Sequence, residues 1–94
     1  MRPIYSFTTL TGSTYRVEEL AQPGHPSNGV KSLWKLDPEA GTWHLQMHGI
    51  ETSRRFRTGE RAVFIGLCPG DDRPGYRITT SPVTDLQFVA HVEW

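Results

Sequence analysis

Apolar and polar positions alternate with a period of two along most of the chain, and the alternation breaks at clusters of glycine, proline, asparagine and aspartate. Residues 4–10 put Tyr5, Phe7 and Thr9 on one face. Thr11-Gly12-Ser13 supplies a turn, and Thr14-Tyr15-Arg16-Val17 returns, which predicts an N-terminal hairpin. Residues 18–21 are expected to add a single helical turn, too short to stand alone. Residues 22–29 are rich in turn formers and lack an apolar anchor, so they read as a loop. Residues 30–36 place Val30, Ser32, Trp34 and Leu36 on one face. A connection follows with Pro38 suited to a type I turn and Gly41 to positive φ. Residues 42–48 then set Trp43, Leu45 and Met47 opposite His44, Gln46 and His48, and Gly49 marks an end or a bulge.

The last third carries the strongest pattern. Ala62-Val63-Phe64-Ile65-Gly66-Leu67 is an apolar run too short for a helix, which predicts a strand buried on both faces. Residues 68–75 hold two prolines and two glycines around Asp71-Asp72 and are expected to form a loop. Residues 76–80 return, and a turn is expected at 81–83 because Pro82 donates nothing to a ladder. Residues 86–94 read as a final strand with Phe88, Ala90, Val92 and Trp94 on one face. The expected core is Phe7, Trp34, Trp43, Leu45, Val63, Ile65, Leu67 and Ile78. The fold expectation is all-β: a small six- to seven-stranded antiparallel barrel or roll, SH3-like, with residues 1–94 as one domain. Closure would remove most sheet edges.

Composition narrows the function classes. The 94 residues are 36% hydrophobic with ten aromatics, enough for one thin core and too few for two. Ten basic and ten acidic residues cancel, so no global field draws the chain to nucleic acid or to a membrane surface. One cysteine, Cys68, excludes an internal disulfide, and no apolar run is long enough to span a bilayer as a helix. The first residues lack a signal-peptide core, so a cytoplasmic location is the expectation. Eight arginines against two lysines fit the codon usage of a GC-rich genome.

Gly59-Glu60 before a strand, a polar hairpin loop, and Thr79-Thr80-Ser81-Pro82-Val83-Thr84-Asp85-Leu86 together resemble the last part of SH3-like small barrels. That string and Phe7-Thr8-Thr9-Leu10-Thr11-Gly12-Ser13-Thr14-Tyr15 are also similar to short proteins of actinobacteria and their phages. The resemblance implies a fold and an origin, and no activity.

No catalytic constellation emerges from the chemistry-bearing residues. His44 and His48 would pair on a helix, but on a strand they share a face about 13 Å apart, too far for one metal ion. Cys68 has no His or Asp spaced to activate it. Asp71 and Asp72 lack the further ligands of a calcium loop. The chain is therefore read as non-catalytic, with no metal and no cofactor. Arg54, Arg55, Phe56 and Arg57 form the one local charge concentration. Arginine and aromatic residues are favoured interface types, so this segment and Trp94 are the candidate partner-binding residues. The reading is a protein-binding or assembly module, in a phage setting docking on a host or phage protein. The alternative is a nucleic-acid-binding barrel, with the arginines on phosphates and Phe56 on a base. A symmetric homodimer covering Trp94 is a further expectation.

Overall fold

Among the described residues, six strands follow one another around a closed antiparallel barrel. They are β1 (Arg2–Thr9), β2 (Thr14–Glu19), β3 (Lys31–Asp37), β4 (Thr42–Ser53), β5 (Arg61–Cys68) and β6 (Asp71–Phe88). Each pairs with the next, and β6 pairs back to β1. The structure is a computed structural model that describes residues 2–53 and 57–88. The expectation of an all-β small barrel holds, with six strands and a make-up consistent with the SH3-like kind.

Closure depends on β6, which serves two neighbours in succession. Its first part pairs with β5 as far as Arg61↔Pro82, and from Val83 to Phe88 it pairs with β1. The turn expected at 81–83 is instead a bend within one strand of 18 residues. Pro82 cannot donate, but its carbonyl accepts from Leu10 N at 2.8 Å, and Val83 N donates to the Glu60 carbonyl at 2.8 Å. Register shifts on both partners, at Arg61/Val63 and at Thr8/Thr9, fall at this corner. Bulges of this kind bend a strand and raise its twist, which a narrow barrel requires. The loop expected over 68–75 contracts to a turn at Pro69-Gly70, with Cys68 opposite Asp71. The helical turn expected at 18–21 does not form. Glu18 and Glu19 instead extend β2 between β1 and β3.

The interior holds Phe7, Tyr15, Val17, Leu33, Met47, Ala62, Phe64 and Val83, with Ile4, Tyr5, Ile50, Ile78 and Leu86 packed against them. Three rings run through it nearly parallel. Tyr15 and Phe7 stack at 5.1 Å and 16°, Phe7 and Phe64 at 5.9 Å and 17°. Because β6 runs between β1 and β5, the second contact is made over the inner face of β6.

Of the expected core, Phe7 is central and Ile78 lies at the margin. Trp34, Trp43, Leu45, Val63, Ile65 and Leu67 are not in it; they are half-buried on the outer face. Two causes account for this. On β5 the inward positions are Ala62, Phe64 and Gly66, so the β-branched set points outward and the strand is fully buried on one face only. On β4 the register shifts between Leu33↔Met47 and Trp34↔Leu45, leaving Gln46 as an extra residue. Met47 therefore turns inward while Trp43 and Leu45, expected on its face, turn outward. Gly66 is where β4 and β5 approach most closely. A Cβ there would stand 2.9 Å from the His48 carbonyl oxygen and 3.0 Å from that of Gly49.

Two predictions follow from this interior. Phe64→Ala removes the ring stacked on Phe7 and should lower unfolding free energy in urea by about 3–5 kcal/mol. Ile65→Ala, one residue away on the outer face, should cost clearly less. Equal losses would contradict the assignment of faces. The second prediction concerns Tyr5, whose ring is 6.3 Å from Phe7. Burial pushes its phenol up from 10.0 to about 12. The unfolded chain releases this proton near the ordinary value and the folded chain only near the raised one. Stability is thus intact below pH 10 and falls as pH rises toward 12. Tyr5→Phe should lose less stability across that window than the parent chain, read from urea melts at its two ends.

Candidate partner-binding face

The outer surface of β2, β3 and β4 gathers large side chains. Arg16 on β2 is opposite Trp34 on β3, Trp34 is opposite Leu45 on β4, and Leu36 is opposite Trp43. These residues alternate with the inward Val17 and Leu33, so the pleat sends them outward. The Arg16 guanidinium lies 4.2 Å from the Trp43 ring centroid. Since β3 runs between their strands, the two side chains meet above it. Arg16 also pairs with Glu18 at 3.2 Å, which fixes the guanidinium along the strand. The aliphatic stem of such an arginine covers apolar surface while its head stays in water.

Two donors on this face are shielded and meet no acceptor among the described residues: Trp34 Nε1 and Arg16 Nε. Buried donors are nearly always paired in folded proteins, so these two stand out. A second outward apolar row, Val63, Ile65 and Leu67, lies on β5, half-buried, beside the exposed Arg77 and Thr79 of β6.

Arg54, Arg55, Phe56 and Trp94 lie outside the described residues. Arg57 is exposed in the turn before β5, where its carbonyl accepts from Glu60 N at 3.0 Å. Arg61 is tied down, donating to the Thr80 carbonyl at 3.2 Å. The bulge at Gln46 places His44 and His48 on opposite faces, correcting the shared face expected for them. His44 is opposite the inward-register Lys35 and His48 opposite Ser32. His44 Nε2 is 3.2 Å from the Thr42 hydroxyl, and His25 Nδ1 accepts from Ser27 N inside the β2–β3 loop. Asp71 holds Arg73 at 2.7 Å, and the Cys68 thiol is 3.8 Å from the Pro69 carbonyl oxygen. Among the described residues no three His, Cys, Asp or Glu side chains gather. No helix among them is long and apolar enough to cross a membrane.

The face made by Arg16, Trp34, Leu36, Trp43 and Leu45 was not anticipated as a site. Its signal is present in the sequence, since both strands carry large apolar residues at alternate positions, but that alternation alone puts them in the interior. Comparison with protein-family models, with curated proteins and with solved structures returns no match.

Because the outer tryptophans lie outside the core, Trp43→Ala and Trp34→Ala should each leave the barrel folded. Each should lower its thermal midpoint less than Phe64→Ala does. Loss of the dispersed amide spectrum in either tryptophan variant would show that the outer face holds the fold together.

Proposed function

We propose that this protein is a non-catalytic, cytoplasmic binding or assembly module that docks on another protein through the outer face of β2–β4. The observation that carries the reading is the placement of Trp34, Trp43 and Arg16 outside a barrel whose interior other side chains already fill. Tryptophan and arginine are the residue types that most often dominate binding energy at protein interfaces. Leu36 and Leu45 add aliphatic surface beside them. Trp34 Nε1 and Arg16 Nε are donors that carbonyls of a partner would satisfy. The resemblance to phage and actinobacterial proteins fits a partner of host or phage origin. Arg54, Arg55, Phe56, Arg57 and Trp94 remain candidates for the same interface or for a symmetric dimer.

Affinity capture from lysate of the native host, with and without nuclease, tests this reading. The expected result is a protein retained by the parent chain, indifferent to nuclease and lost with Trp34→Ala/Trp43→Ala. Capture that nuclease abolishes would overturn it in favour of nucleic acid. In that case oligonucleotide affinity should fall with log salt at a slope of roughly one counterion per phosphate contact, flattening when Arg54, Arg55 and Arg57 are replaced.

A further inference from the structure

Lys35 occupies an unusual position at one mouth of the barrel. It follows Leu33 at the next inward position of β3 and pairs with Tyr15, so its stem continues the interior column. Its ammonium lies 5.8 Å from the Tyr15 ring centroid. No carboxylate among the described residues lies within ion-pair distance of it. The charge is thus held over an aromatic face at the rim.

A cleft of about 290 Å³ opens beside it, between the β1–β2 turn and the β3–β4 turn. Thr11, Gly12, Ser13 and Thr14 line it from the first turn, and Lys35, Leu36 and Pro38 line it from the end of β3 and the turn after it. Among the described residues no acidic side chain lines this cleft. Asp37 lines the adjoining cleft, which Lys35, Leu36 and Pro38 also border; its Oδ1 accepts from Glu39 N and Ala40 N and its Oδ2 faces His44 at 3.9 Å. Thr11 Oγ1 is engaged with Thr9 and Ser81 hydroxyls. Ser13 Oγ and Thr14 Oγ1 make no hydrogen bond among the described residues.

We propose that this cleft binds an oxyanion, a carboxylate or a phosphate, seated between the Lys35 ammonium and the Ser13 and Thr14 hydroxyls. An unpaired cation and two uncommitted hydroxyl donors match the acceptor-only oxygens of such a group, and charge-assisted hydrogen bonds are the stronger kind. Leu36 and Pro38 offer apolar contact to whatever carries the charge. The site borders the docking face at Leu36 but uses neither Arg16 nor the tryptophans, so its test is separate from that of the protein-docking reading.

The test is an amide-resonance titration of the full chain with sodium phosphate and, separately, sodium acetate, each against sodium chloride at matched ionic strength. The expected result is saturable shifts confined to residues 11–14 and the Lys35 neighbourhood. They should be absent in Lys35→Met, kept in Lys35→Arg and weakened in Ser13→Ala. Saturation by acetate would identify a carboxylate site, as a partner's acidic side chain would use; saturation by phosphate alone would identify a phosphate site. Shifts that stay linear, that chloride reproduces, or that persist in Lys35→Met with the barrel intact would overturn the proposal.

Discussion

The contact of Phe7 with Phe64, two rings from strands that flank β6, is the constraint on which the rest of the molecule turns. Closing six strands leaves an interior so narrow that two rings from non-adjacent strands stack directly, with Tyr15 extending the stack on β2. Little volume remains. Val17, Leu33, Met47 and Val83 complete it, and the other inward positions on β5 are taken by alanine and glycine. Two tryptophan side chains have no room there. The outward placement of Trp34 and Trp43 is therefore a consequence of closure as much as of alternation.

Closure itself is achieved through irregularities. Register shifts occur in five of the six strand pairings, those of β1 with β2 and β6, of β4 with β3 and β5, and of β5 with β6. The bend at Ser81-Pro82 hands β6 from one neighbour to the other, and Gly66 admits the β4 backbone where a side chain would not fit. A flat ladder of the same strands could not curl tightly enough to bring Phe7 to Phe64. The local irregularities and the central stack are two parts of one requirement.

This explains what the sequence disclosed and what it did not. The hairpin around Thr11-Gly12-Ser13, the turn after Asp37 and the strand after Glu60 were legible because alternation and turn chemistry are local. Which face of a strand turns inward is not local when both faces are apolar. On β3 the pair Trp34 and Leu36 competes with Leu33, and on β5 Val63 and Ile65 compete with Phe64. Side-chain size favoured the wrong set in each case. The Gln46 bulge compounded the error, because one extra residue reverses every later side chain of β4. Of the candidate site, the residue types were legible and their location was not. Arg54, Arg55, Phe56 and Trp94 lie outside the described residues, whereas the Arg16–Trp43 pairing joins residues 27 positions apart in sequence through the β2–β3–β4 register.

The two faces of the sheet also differ in how firmly they are held. Inside, removal of one large ring forfeits several kcal/mol, because neighbouring strands cannot collapse into the space. Outside, Arg16 over Trp43 contributes about 0.5–1 kcal/mol at a partly exposed site, and its pair with Glu18 is of the surface kind, worth at most about 1 kcal/mol. Rearranging the outer side chains is therefore cheap relative to disturbing the stack. A barrel with this division can present large side chains to a partner, and let them shift on contact, without altering the scaffold that positions them. The central stack and the outer tryptophans thus answer to separate demands on one sheet, divided by the direction in which each side chain leaves the pleat.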